Sequence, residues 1–269
     1  MTTTIALAGK GGTGKTTLAA LLIRYLMEER GGAILAIDAD PASNLNFVLG
    51  MELHQTIGEI REDMLEQVQT SGALAGSMPG GMSKQEYLDY QVQMSLVEGE
   101  KVDLLAMGRP EGQGCYCAAN QMLRLILDRL KSHYDYVVID NEAGMEHLSR
   151  RTTRDVDVLL LVTDPTQRGL ITAQRMQEMV PGLEIGVGRI YLVLNRLRGD
   201  GRDGRAAIPQ PLAEAIEEAE LDLVGTIPEE SAMAEFEFTG RPLIELPEET
   251  DLYQAVRDIA QEILSNGRR

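Results

Sequence analysis

Apolar residues gather in seven short, nearly unbroken runs: Thr3–Ala8, Ala33–Ile37, Val102–Met107, Tyr136–Ile139, Val158–Val162, Ile190–Leu194 and Leu223–Ile227. Between them, apolar positions recur at helical spacing over Thr16–Glu29, Asn120–Ser132, Ile171–Met179, Pro211–Ala219 and Asp251–Leu264. A strand that does not alternate apolar with polar is buried on both faces. Such strands, separated by amphipathic helices, predict a single α/β domain over residues 1–269 with a mainly parallel sheet covered by helices on both faces. Ligands of these sheets bind at the carboxyl ends of the strands. Residues 51–100 break the pattern. The Gly/Ser/Met/Pro-rich stretch Ser71–Ser83 and mixed helical signals there read as an insertion on the ligand-binding face, not a second domain.

The loop after the first run carries the strongest chemical signal: Gly9-Lys10-Gly11-Gly12-Thr13-Gly14-Lys15-Thr16-Thr17. It matches G-x-x-x-x-G-K-[ST] between a strand and a helix, the P-loop arrangement. Gly11, Gly12, Thr13 and Gly14 let successive backbone N–H groups cradle phosphate oxygens, and the helix N-terminus adds a favourable partial charge. Lys15 would neutralise the β- and γ-phosphates, Thr16 would ligate Mg²⁺, and Thr17 continues the phosphate-binding turn. Two further strands end in acids. Asp38-Ala39-Asp40-Pro41 follows the second, placing carboxylates at i and i+2 where they can face the phosphates. Tyr136–Asp140 has the Walker B form, a carboxylate at a strand end that holds Mg²⁺ through water. Asn141-Glu142-Ala143-Gly144 follows it. Asn195 ends the strand Ile190–Leu194, but Arg196-Leu197-Arg198 supplies no carboxylate to accept the two N–H donors of guanine. That points to ATP and leaves Asn195 a candidate adenine contact.

The second lysine, Lys10, makes the loop resemble the deviant Walker A subclass of P-loop NTPases. This group includes the nitrogenase iron protein, the Min and Par ATPases and metal-insertion ATPases. The resemblance implies an ATP-hydrolysing homodimer that sandwiches two nucleotides. It also implies that Lys10 reaches across to the partner's phosphates as an arginine finger does. It assigns Asp40 to orienting the attacking water, Asp38 to Mg²⁺ water ligation or support of the site, and Ile227-Pro228-Glu229 to the adenine ring. Family members often carry a threonine- and glycine-rich sequence after the Walker B acid; Asn141-Glu142 departs from it.

Two cysteines, Cys115 and Cys117, follow the glycine-rich run Gly108–Gly114. A disulfide between them would close too small a ring to stabilise much. One C-x-C supplies two ligands where a soft-metal site wants about four; a two-fold dimer presents the pair twice. The run to Cys115 resembles the segment holding one cluster cysteine in the nitrogenase iron protein. Asn141–Leu148 lacks the second cysteine that such a bridging iron–sulfur cluster needs. The C-x-C in this setting is similar instead to the CooC-type ATPases that mature carbon monoxide dehydrogenase and to the related acetyl-CoA synthase factor. That resemblance spans nearly the whole chain. It implies Ni²⁺, or Zn²⁺ in isolation, at Cys115 and Cys117 on the dimer axis, with one of those enzymes as client.

A formal net charge of −17 works against nucleic-acid and anionic-membrane partners. It disfavours the alternative of a partitioning or positioning ATPase. An electron-transfer ATPase with a bridging cluster remains the other alternative. No apolar run is long enough to span a bilayer, Met1–Ala8 is too short for a signal peptide, and a cytoplasmic location is expected. His54, His133 and His147 are scattered along the chain, and the thirteen methionines serve as core filling.

Overall fold

The computed structural model describes residues 2–60, 62–63, 82–108, 127–144, 155–183, 185–198 and 208–265. Seven strands form one parallel sheet: β1 (Thr3–Ala8), β2 (Ile34–Ala39), β3 (Val102–Ala106), β4 (Tyr136–Asn141), β5 (Asp155–Thr163), β6 (Gly186–Leu197) and β7 (Leu223–Pro228), in the order β3-β2-β4-β1-β5-β6-β7. Every apolar run is therefore a strand. Several extend further than hydrophobicity alone indicates, because β5 and β6 begin with exposed residues, Asp155 and Gly186, outside the core. Alternate residues of β1 show why the runs are continuous. Ile5 and Leu7 enter one core while Ala6 and Ala8 enter the other.

One face is covered by α1 (Lys15–Tyr25), α2 (Leu45–Leu49) and the C-terminal helix. In α1 every residue from Leu18 to Tyr25 is buried. It then widens into a π-helical turn, Leu26–Arg30, closed by Gly31 N–H donating to Leu26 O. The other face is covered by α3 (Lys84–Met94), α4 (Gln167–Met179), α5 (Gln210–Glu218) and the helical residues 127–131. The chain ends with α6 (Ala232–Thr239) and α7 (Asp251–Ser265). Helix α7 buries Leu252, Val256, Ile259 and Ile263 against β7 and α1, each worth about 1.5–3 kcal/mol.

Within 51–100 the described residues add a layer to the core. Ile57, Ile60, Tyr87, Leu88 and Val92 are buried under the sheet, and a Ser83–Glu86 capping box starts α3. Residues 64–81 lie outside the described residues, as do Cys115, Cys117 and all but the end of the expected helix Asn120–Ser132. Among the described residues no helix is long and apolar enough to cross a membrane.

Candidate nucleotide and magnesium site

The phosphate loop leaves the central strand β1 and runs straight into α1. Its glycines are dictated by backbone shape. Gly12 and Gly14 take φ of 80° and 90°, values that side chains other than glycine's resist. At Gly9 a Cβ would strike the Val162 carbonyl oxygen, and at Gly14 it would strike the Asn195 side chain. Thr13 is buried, and its Oγ1 donates to Lys10 O at 2.9 Å, which tightens the loop.

Lys15 is buried at the base of this loop. Its Nζ donates to the carbonyl oxygens of Gly9 and Lys10, each at 3.3 Å. Burial holds the ammonium below its usual range, while the charges of Asp140, Asp40 and Glu142 partly restore it. A cation poised among carboxylates and backbone dipoles is ready to meet phosphate oxygens. The Lys10 side chain is exposed; what the loop uses internally is the Lys10 carbonyl.

The acids come together through strand register. Asp38 on β2 lies directly beside Asp140 on β4. The two are 1% exposed, so the low dielectric around them decides their ionisation. Thr16 Oγ1 donates to Asp140 Oδ2 at 2.6 Å, and Asp140 Oδ1 is buried without a hydrogen-bond partner. Burial raises Asp140 to about 7, with the Thr16 hydrogen bond and the Lys15 charge opposing it. An orphaned, buried carboxylate oxygen beside a threonine hydroxyl fits a hard divalent cation. Thr16 and Asp140 are the residues that would hold Mg²⁺, which supplies charge neutralisation to the bound phosphates.

Asp38 is held by the backbone that follows it. Its Oδ1 accepts from Asp40 N at 3.0 Å and its Oδ2 from Leu45 N at 2.9 Å, so it pins the loop that presents Asp40. Burial raises it to about 6. Asp40 is half-buried and accepts from Ala42 N at 2.8 Å. On the other side, Gly144 N donates to Gly9 O at 3.2 Å, tying the loop after Asp140 to the phosphate loop.

Asn195 has a role that the sequence did not announce. Its Nδ2 donates to Thr13 O at 2.7 Å and its Oδ1 accepts from Arg196 N at 2.8 Å, with Arg196 at φ 57°. It braces the phosphate loop from β6. Pro228 pairs with Leu197 at the end of β7, and Glu229 forms a two-bond ion pair with Arg198 at 2.6 and 3.2 Å. Asn195 and the segment Ile227-Pro228-Glu229 thus stand at the ends of neighbouring strands. Asn141, buried at 1%, donates to Leu7 O at 2.8 Å and so links β4 to the strand that carries the loop.

Asp38 and Asp140 keep their protons in the folded state at pH values where the unfolded chain has lost them. The stability this contributes is present below the ordinary carboxylate range and is lost as pH rises through about 6 to 7. We therefore expect Asp140→Asn to stabilise the nucleotide-free protein at pH 8 by on the order of 1–3 kcal/mol. The gain should shrink toward pH 5. Urea unfolding across this range checks it, and an Asn variant no more stable than the parent at pH 8 would refute the burial argument.

A parallel sheet with this loop after its central strand, and a threonine–aspartate pair behind the loop, defines a P-loop nucleotide-binding domain. Residues 4–243 match the model of the CobQ/CobB/MinD/ParA nucleotide binding domain, and the chain belongs to that family of ATPases. It is 42% identical over 261 residues to an ATP-binding protein of Methanocaldococcus jannaschii, covering 97% of this chain and 98% of that one. It is 30% identical over 272 residues to the carbon monoxide dehydrogenase accessory protein CooC of Rhodospirillum rubrum, covering 97% and 94%. Among solved structures, the cell division ATPase MinD of Pyrococcus furiosus superposes with a TM-score of 0.67 at 25% identity, covering 99% of this chain and all of that one.

Proposed function

We propose that this ATPase is a metallochaperone. It dimerises with ATP and assists insertion of nickel into carbon monoxide dehydrogenase or acetyl-CoA synthase. The observation that carries the reading is the Cys115-x-Cys117 pair in a chain similar along nearly its whole length to a carbon monoxide dehydrogenase accessory protein. ATP closes two protomers face to face. Lys10 of each reaches the other's phosphates, Lys15 neutralises the leaving charge, to which Mg²⁺ held at Thr16 and Asp140 would add, and Asp40 orients water. Asn195 and Ile227–Glu229 frame the adenine. Closure brings four thiolates to the two-fold axis, where they bind the cargo ion. Metal and ATP favour the same closed state, so each raises the affinity for the other.

The experiment is an anaerobic titration with Ni²⁺ and with Zn²⁺, followed by size exclusion with and without ATP, on the parent and Cys115→Ser/Cys117→Ser. The reading expects one ion per dimer, lost in the double variant, with ATP-driven dimerisation retained. A double variant with unchanged metal stoichiometry would end it. The similarity to MinD favours a second reading, a positioning ATPase, whose mark is ATP-dependent binding to liposomes or DNA without thiol-dependent metal.

A further inference from the structure

Three strands from β1, the sheet ends in a groove. Among the described residues β7 pairs with β6 alone, which leaves its outer edge toward a cavity of about 800 Å³. It is lined by Leu223 to Thr226 and Pro228 of β7, Tyr191 of β6, Ile208 and helix α7. The helix packs tightly on the strand: a Cβ at Gly225 would collide with Ile259. It runs antiparallel to the strand, since its last turn meets the start of β6 where Arg189 donates to Ile263 O at 3.0 Å.

The wall that α7 presents to the groove is acidic. Asp251 and Asp258 are exposed, seven residues apart on one helical face, so about 10 Å apart along the strand. Exposed Asp222 marks the other end of β7. An edge strand offers alternating N–H and C=O groups to an extended chain and to little else. A second strand added here would aim every other side chain at the carboxylates, at a repeat of about 6.6 Å. Carboxylates along that line complement lysine and arginine.

We infer that this groove binds an extended basic segment of a partner protein, of about six residues with Lys or Arg at alternate positions, as an eighth strand on β7. The inference does not depend on the cargo reading. It rests on the backbone edge for shape and on Asp222, Asp251 and Asp258 for charge. This gives an acidic chain a place to capture a cationic client three strands from the phosphate loop, in a groove that reaches Pro228 of the adenine segment.

The probe is a fluorescein-labelled hexapeptide alternating lysine with valine, titrated into the full chain and followed by anisotropy. The controls are the same peptide N-methylated at alternate residues, a glutamate–valine peptide, and an isomer with its three lysines in one block. The alternating lysine peptide should bind, and Asp251→Asn/Asp258→Asn should weaken it about tenfold. N-methylation on the edge-facing residues should abolish binding, because it removes donors the strand needs. Equal binding of the N-methylated or blocked peptide would reduce the groove to general acidity and overturn the inference. The chain's own stretch 199–207, which adjoins Ile208 in sequence and carries Arg202 and Arg205 beside Asp200 and Asp203, is the competing occupant. Binding that emerges only in Arg202→Glu/Arg205→Glu would assign the groove to that stretch and also overturn it. The Asp251/Asp258 variant should hydrolyse ATP at the parent's rate, which separates this outcome from any failure of the nucleotide site.

Discussion

Exchanging Lys15 for alanine should lower ATP turnover by at least about a hundredfold and weaken ATP binding as well. The side chain is the buried cation of the loop, held between the Gly9 and Lys10 carbonyls. It faces the charges of Asp140, Asp40 and Glu142. Without it, those carboxylates meet the phosphates with one buried cation fewer, so the loss extends from the transition state to the ground state. Arginine is a poor rescue, since its fork is wider than the two-carbonyl seat that accepts the ammonium. Calorimetric ATP titration beside phosphate release measures both effects. Turnover within about threefold of the parent would remove Lys15 from the centre of the chemistry.

Lys10→Ala should behave differently. Binding of ATP by the single chain should change little, because the loop's own architecture uses the Lys10 carbonyl and leaves the side chain exposed. Hydrolysis should fall by about a thousandfold, the scale of a missing finger supplied in trans, and ATP should no longer drive the variant to dimerise with itself, while one remaining lysine still lets it pair with the parent. Mixing experiments give the signature. If the lysine acts across an interface, adding excess Lys10→Ala protein to the parent should lower the parent's rate per site. Parent turnover per site that is independent of protein concentration, with an unimpaired alanine variant, would show that Lys10 is an ordinary surface charge.

The two lysines also show which parts of the site could be read from residues in order. The loop is legible because its demands are local: glycine where φ is positive, lysine and threonine at the helix start. The strands are legible because both of their faces are buried. Helix α3 is obscure because only Tyr87, Leu88 and Val92 of its eleven residues are buried apolar side chains. Helix α6 is obscure for the opposite reason. Ala232, Met233, Phe236 and Phe238 ring it with apolar groups, and no periodicity separates the buried Phe236 from Phe238, which is 92% exposed. The bracing by Asn195 and the side-by-side placing of Asp38 and Asp140 are hidden for a third reason. Asn195 acts on Thr13, 182 positions away. Asp38 stands beside Asp140 only because β4 inserts between β2 and β1. Contacts of that kind belong to register, which spacing along the chain does not encode.

The strand order also sets where the phosphate loop and the cysteine segment begin. The chain enters the cysteine segment from β3, at the sheet's edge, while triphosphate binds at β1, three strands inward. At strand spacings of about 4.8 Å, these starting points are about 14 Å apart. Nucleoside triphosphates are themselves ligands for divalent ions, and thiolates are ligands for soft ones. A fold that starts the two segments on opposite sides of β2 and β4 sets their points of departure apart. It also leaves the carboxylate-bearing ends of those two strands, Asp38 and Asp140, lying between the two points of departure.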